Sequence, residues 1–204
     1  MKIKAVVFDY GKVICFPPEH GVMDSLAALA GVEKKALERM IWKYRDNYDR
    51  GTEKGPFYYQ RIVRELGKDI SIETGNAMAE IDMAGWKNIN SATVKLMEDI
   101  KKAGILLGIL SNMPFEFLDW ARKELPVFSL PQAGVFSCEE GLIKPEEAIY
   151  RKLLEKLNCL PGEVVFFDDI AQNVNKAREL KIEAFVWESP EKARELLTEL
   201  GVAI

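Results

Sequence analysis

Residues 3–9 read IKAVVFD and residues 164–169 read VVFFDD. Each is a short apolar run closing on carboxylates, the pattern of a strand buried on both faces. Ile105–Leu110 is a further run of this kind, a short strand is expected near Val135-Phe136, and Ala184–Trp187 reads as a last one. Helical spacing fills the gaps. Ser91 is positioned to cap a helix reaching Lys102, with Leu96, Ile100 and Ala103 on its inner face. Phe115–Glu124 forms the next helix, and Pro145 stands at the first turn of one reaching about Leu157. Another follows Asp168 as far as Leu180, and Pro190 starts the terminal helix. Strands alternating with helices predict an α/β fold with a doubly wound, parallel, Rossmann-like sheet. Ligands of such sheets bind beyond the carboxyl ends of the strands. Asp9, Ser111-Asn112 and Asp168-Asp169 all follow predicted strands, which places them at one common edge.

One stretch breaks the alternation. From about Pro17 to Gly85 the apolar residues recur only at helical spacing: Met23, Leu26, Ala27 and Leu29, then Leu37, Met40, Ile41 and Tyr44, then Tyr58, Ile62, Val63 and Leu66, then Ile72 to Met83. Glycines at 31, 51, 55, 67 and 75 punctuate these helices. The expected organisation is an α/β core of residues 1–16 and 87–204, with an α-helical cap of residues 17–86 inserted after the first strand and folded over the strand ends. Trp42, Tyr44, Tyr48, Tyr58 and Tyr59 equip that cap with a small core of its own.

With 48% hydrophobic and 29% charged residues over 204 positions, the chain has the composition of a folded globular protein. A net charge of -4 leaves neither a basic footprint for nucleic acid nor a polybasic patch for membranes, so a small molecule is the expected partner. Cys15, Cys138 and Cys159 are widely spaced and odd in number, as expected of reduced thiols rather than a disulfide framework or a zinc site. The apolar run behind the basic start stops at Asp9, too early for a signal peptide, and no stretch approaches a membrane span; the expected location is the cytoplasm. Nothing in the sequence sets an oligomeric state.

Four segments stand in order: FDYGKV at 8–13, LSNM at 110–113, KPEEAIY at 144–150 and VVFFDDIAQN at 164–173. Together they resemble the haloacid dehalogenase-like (HAD) superfamily over nearly the whole chain, in the subgroup whose helical cap lies between the first two motifs. The resemblance implies a Mg²⁺-dependent phosphatase acting on a small phosphorylated metabolite. It makes Asp9 the nucleophile that forms an aspartyl-phosphate. It assigns the metal to Asp9, the Gly11 carbonyl and Asp169, with Asp168 in or near the shell. It uses Lys144 to neutralise charge, and Ser111 with the amide of Asn112 to donate to the phosphoryl oxygens. Asn173 matches a position that supports the metal site from behind. The chemistry is coherent on its own terms. Phosphate monoesters are hydrolysed very slowly without a catalyst, a carboxylate opens a covalent route, and hard oxygen ligands hold a cation that removes anionic repulsion.

The first motif departs from the family's phosphatases at Gly11, where they carry a second Asp as general acid and base. Such help is typically worth about 10²–10⁴ in rate. Its absence speaks against mutase chemistry and favours leaving groups that need little protonation, a sugar 1-phosphate among the sugar phosphates. Capped relatives with this DxG variant include phosphatases of that kind. Lys12, a water or His20 are the candidates for a substitute acid, although a solvated loop position is the expected reading of both side chains. Trp86 either lines the pocket or packs the linker. Two alternatives stand beside the phosphatase: a dehalogenase, whose halide leaves without a proton, and a non-catalytic binder of phosphate compounds or protein. Glycine-rich nucleotide cradles are absent.

Overall fold

A computed structural model describes residues 2–204; Met1, the first residue of the expected core, lies outside the described residues. Five strands form one sheet: β1 (Ala5–Phe8), β2 (Leu106–Ser111), β3 (Ala133–Phe136), β4 (Val164–Asp168) and β5 (Glu183–Val186). All pair in parallel, in the order β3-β2-β1-β4-β5. The chain builds outward from β1 to one edge, then returns to build the other, so the connections diverge at the centre of the sheet and leave a crevice at the strand ends.

Strand alternation divides the core. Val6 and Phe8 face α5 (Ser91–Lys102) and α10 (Pro190–Glu199), while Ala5 and Val7 face α8 (Glu147–Leu157) and α9 (Ala171–Glu179). Both faces are covered, which is why β1 and β4 read as continuous apolar runs. Phe8 and Phe167 stack on the first face, and Trp187 meets both rings edge-on.

The remaining helices of the first half form a block of their own: α1 (His20–Ala30), α2 (Lys34–Asp49), α3 (Gly55–Glu65) and α4 (Ile72–Gly85). Their apolar faces meet in a third cluster around Leu26, Leu37, Tyr58, Ile62 and Met78. Some residues expected on these apolar faces lie elsewhere. Leu29 and Trp42 point outward, 40% and 53% exposed, because each sits beyond the apolar stripe of its helix. Gly75 lies inside α4, not between helices. A Cβ there would stand 2.6 Å from the Pro56 carbonyl oxygen, so its absence lets α3 and α4 close to backbone contact.

The block joins the core through two strands of chain lying side by side. Cys15 bridges to Ile89 in antiparallel fashion, Phe16 N donates to Asn88 O at 2.8 Å, and Asn90 N donates to Ile14 O at 2.9 Å. Beyond this junction Asn90, not Ser91, caps α5, its side chain accepting from the amides of Ala92 and Thr93. Pro145 precedes α8, which starts at Glu147, because the Lys144 backbone is held elsewhere. Between β3 and α8 lies a helix absent from the sequence reading, the single turn α7 (Ser137–Glu140). The helix α6 (Phe115–Glu124) follows β2 as expected.

Candidate functional site

Asp9 leaves the end of β1, where its amide still donates to Phe167 O at 2.9 Å. The chain then makes a wide turn over Tyr10–Ile14, closed by Cys15 N donating to Tyr10 O at 3.1 Å. Inside the turn Gly11 is extended (φ -64, ψ 127) and Lys12 is left-handed (φ 57). Tyr10 anchors it, its hydroxyl donating to Trp86 O at 2.7 Å and its ring packed against Phe117 and Phe128.

Lys144 is the hub of what lies beneath. Its ammonium group is buried and donates to Asp168 Oδ2 at 2.6 Å, Asp9 Oδ1 at 2.9 Å and Leu110 O at 3.0 Å. All three of its protons are thereby spent. Asp9 Oδ1 also accepts from the Tyr10 amide at 2.7 Å, which leaves Oδ2 the less encumbered oxygen. Burial holds the Asp9 carboxyl above the ordinary carboxylate range, against the pull of Lys144; Asp168 adds to the rise and the Ser111 hydroxyl opposes it. Burial lowers the Lys144 pKa, but Asp168 and Asp9 outweigh it and keep the amine charged.

Asp168 is fully buried, and both of its oxygens are engaged. Asn173 Nδ2 donates to each at 3.1 Å, Ile170 N donates to Oδ1 at 2.8 Å, and Lys144 takes the other side. Tyr150 in turn fixes Asn173 through its carbonyl at 3.0 Å. Asp169 points outward, 20% exposed in its side chain, with the half-exposed Lys12 ammonium 3.3 Å from Oδ2. Asp9, Asp168 and Asp169 each offer a carboxylate oxygen, all within 4.8 Å of one another. Three carboxylates against one buried and one half-exposed lysine leave negative charge in surplus among hard oxygen donors. A divalent cation such as Mg²⁺ fits that donor set.

Ser111 is buried at the end of β2. The side chain of Asn112 clamps the lysine loop in both directions: Oδ1 accepts from Lys144 N at 2.8 Å, and Nδ2 donates to Lys144 O at 3.1 Å. The seven residues singled out from the sequence, Asp9, Gly11, Ser111, Asn112, Lys144, Asp168 and Asp169, therefore lie together. Six of them line a cavity of about 530 Å³; Asp168 lies beneath it. Lys12 and Trp86 line it as well, whereas His20 is exposed at the start of α1 and does not.

The helical block supplies the opposite wall. Arg45 of α2 enters the cavity with its side chain 12% exposed, held by Asp49 Oδ1 at 2.8 Å and Asp82 Oδ2 at 2.7 Å. Asp82 also accepts from Trp86 Nε1 at 3.3 Å, and Trp42 and Asp46 complete this side. Arg45, Asp46, Asp49 and Asp82 escaped the sequence reading, which names Trp86 for the pocket or the linker and Trp42 only for the cap's own core. The i,i+4 spacing of Arg45 with Asp49, and of Asp82 with Trp86, was the visible signal, but it marks any helical side-chain pair.

Comparison with known proteins gives a consistent result. The family model described as haloacid dehalogenase-like hydrolase matches residues 3–179. Bifunctional epoxide hydrolase 2 of Rattus norvegicus is 41% identical over 199 residues, covering 88% of this chain and 35% of the rat protein. Acyl-CoA dehydrogenase family member 10 of Mus musculus is 32% identical over 111 residues, 52% of this chain and 10% of the mouse protein. The chain thus spans about a third or less of these curated relatives. Among solved structures, a predicted HAD-like family hydrolase from Porphyromonas gingivalis superposes with a TM-score of 0.78 at 21% identity, covering 100% of both chains. A HAD family enzyme from Bacteroides thetaiotaomicron, in complex with magnesium and inorganic phosphate, gives 0.72 at 20% identity, covering 91% of this chain and 94% of that one. A dehalogenase with an intermediate complex gives 0.73 at 16% identity over 96% and 97% of the two chains. At such identities the structural likeness establishes the fold.

Proposed function

The chain belongs to the haloacid dehalogenase-like hydrolases, and from that premise we propose that it is a Mg²⁺-dependent phosphatase of a small phosphorylated metabolite, with Asp9 as nucleophile. One observation carries the reading: a buried lysine with every proton engaged stands between Asp9 and Asp168 while a third carboxylate, Asp169, is turned toward the cavity.

The carboxylates Asp9 and Asp169, with the Gly11 carbonyl, would hold the ion. Asp168 stands among them but has its oxygens committed, so it serves chiefly to hold Lys144 and Asn173 in place. When bound, Mg²⁺ supplies charge that offsets repulsion between a carboxylate and a phosphoryl group. Asp9 Oδ2 attacks phosphorus, the bond to the ester oxygen breaks, and the phosphoryl group passes to Asp9. Water then attacks that phosphorus, releasing inorganic phosphate and restoring the carboxylate. Ser111 and the Asn112 amide donate to the phosphoryl oxygens, and Lys144 steadies the charge that builds on Asp9. The helical block acts as a cap that shields this chemistry from bulk water and shapes the leaving-group side of the cavity.

Position 11 offers no carboxyl to protonate the leaving oxygen, and Trp86 covers the place. A Cβ on Gly11 would meet the Trp86 ring at 3.5 Å, an ordinary contact. This supports substrates whose leaving group needs little protonation, with a sugar 1-phosphate first among sugar phosphates. The same bare position supports a second reading, halide displacement from a haloacid, in which no proton is required. Asp169 weighs against it, since a metal-free displacement has no use for a third carboxylate.

The test is release of inorganic phosphate from a panel of sugar phosphates and an aryl phosphate, with and without Mg²⁺, beside Asp9→Asn. Mg²⁺-dependent release that vanishes in the variant is expected. Halide release from a haloacid with no phosphate release from any ester overturns the phosphatase reading.

A further inference from the structure

Three consecutive residues at the end of α2 each reach a different part of the core. The carbonyl of Asp49 accepts from Ser137 Oγ at 2.5 Å, and that hydroxyl in turn accepts from Met113 N at 2.9 Å. Met113 directly follows Ser111 and Asn112, so the hydroxyl joins α2 to the loop that carries both. The guanidinium of Arg50 grips Glu146 with two bonds, Nη2 to Oε1 at 2.7 Å and Nη1 to Oε2 at 3.0 Å, and Nη1 also donates to Gly141 O at 3.0 Å. Glu146 Oε2 accepts from Ile143 N at 3.2 Å, which closes the turn that carries Lys144. Gly51 makes the approach possible. It is left-handed (φ +78), and a Cβ there would stand 2.5 Å from the Phe115 ring and 2.9 Å from Cys138 O. The two core loops are also joined to each other through Asn112 and Lys144.

We propose that the turn Asp49–Arg50–Gly51 is a positioning element that transmits the seating of the helical block to Ser111, Asn112 and Lys144, with Arg50 as its principal side chain. The inference rests on the phosphatase reading of that same site. Arg50 touches none of the reacting atoms; it acts through Glu146 on the lysine loop. The pair is partly solvated, 25% and 41% exposed in its side chains, and such pairs contribute little to folding stability. Its effect is therefore on geometry. A displacement of about 1 Å in a positioning group costs up to about 10²-fold in rate. A merely structural contact at this exposure would leave turnover untouched.

The experiment measures kcat and KM for 4-nitrophenyl phosphate at saturating Mg²⁺ in wild type, Arg50→Ala, Arg50→Lys, Glu146→Ala and the double alanine variant. Calorimetric binding of inorganic phosphate with Mg²⁺ and urea unfolding accompany it. Arg50→Ala is expected to lower kcat about 10-fold, with KM and the unfolding midpoint nearly unchanged. Arg50→Lys recovers part of the loss, because an ammonium cannot grip a carboxylate and the Gly141 carbonyl with the fixed fork of a guanidinium. The double variant is no slower than Glu146→Ala alone, the signature of one shared pathway. Wild-type kcat in Arg50→Ala, or losses that multiply in the double variant, overturns the positioning role alone. A wild type that neither turns over the ester nor binds inorganic phosphate overturns the phosphatase reading, and the positioning role with it.

Discussion

Asp168 and Tyr59 are both fully buried, one in the sheet core and one in the helical block. Three donor groups converge on the two oxygens of Asp168, while among the described residues the hydroxyl of Tyr59 meets no partner, and neither does that of Tyr48. The contrast extends beyond these residues. Around Lys144 the core fixes its polar atoms in a network with no donor to spare. The block packs a tyrosine stack, Tyr48 against Tyr58 at 4.8 Å, with only Tyr58 donating, to Ile41 O at 2.6 Å. A buried polar group without a partner costs about 1–3 kcal/mol, whereas a satisfied network fixes positions. The core holds its polar groups around the candidate site, and the block holds its own where it meets that site, through Arg45 and Arg50, while its interior tolerates unsatisfied hydroxyls. Its buried ion-paired group, Arg45 between Asp49 and Asp82, faces the cavity.

The sharpest way to break this comparison is at Asp9. Asp9→Asn is expected to lose about 10³-fold or more in phosphate release, as removal of a covalent nucleophile does. The same change should stabilise the metal-free protein. Burial raises the folded-state pKa of Asp9 to about 6 from an ordinary value of 3.8. Stability therefore drains away as the pH rises from about 4 through 6 and the carboxyl ionises. Thermal unfolding in a chelator should show the variant ahead by roughly 3 kcal/mol at pH 7 and nearly level at pH 4. An advantage that is equal at both pH values contradicts the assignment of strain to the charged carboxylate.

Arg45→Ala comes next. It leaves Asp49 and Asp82 buried without their cation, an expected loss of about 3–5 kcal/mol by urea unfolding. If the block is the looser region, that loss should appear as an early transition, reported by Trp42 fluorescence, ahead of core unfolding. Tyr58→Phe removes the one tyrosine hydrogen bond of the stack and should cost about 1 kcal/mol. Tyr59→Phe removes only an orphan hydroxyl, so it should be neutral or stabilising by up to about 1 kcal/mol. A clear destabilisation from Tyr59→Phe would show that the block is as tightly specified as the core.

The same contrast explains what could be read from the residues. Strands buried on both faces announce themselves as apolar runs, so all five were visible within one or two positions. The four helices of the block followed from their apolar stripes. Asp9, Ser111, Asn112, Asp168 and Asp169 were legible as a group because they stand at strand ends, where chain order and sheet topology bring them together, whereas Gly11 and Lys144 were reached through the family resemblance. Ser137 and Arg50 were not, since their meaning depends on contacts across 88 and 96 positions of sequence. The single turn α7 is too short to carry a periodic signal. Asn90 and Ser91 are both good caps, and only the backbone geometry decides between them.

The junction between block and core carries a consequence of another kind. Entry and exit run antiparallel within hydrogen-bonding distance, Phe16 to Asn88 and Ile14 to Asn90. At the level of the gene this is an insertion whose two breakpoints coincide in space. Everything from His20 to Gly85 could be exchanged for another helical module, or replaced by a short hairpin turn, without asking the sheet to move. Selectivity in such a molecule can evolve by replacement of a cassette, provided the incoming one restores the contacts that Asp49 and Arg50 make with the core loops.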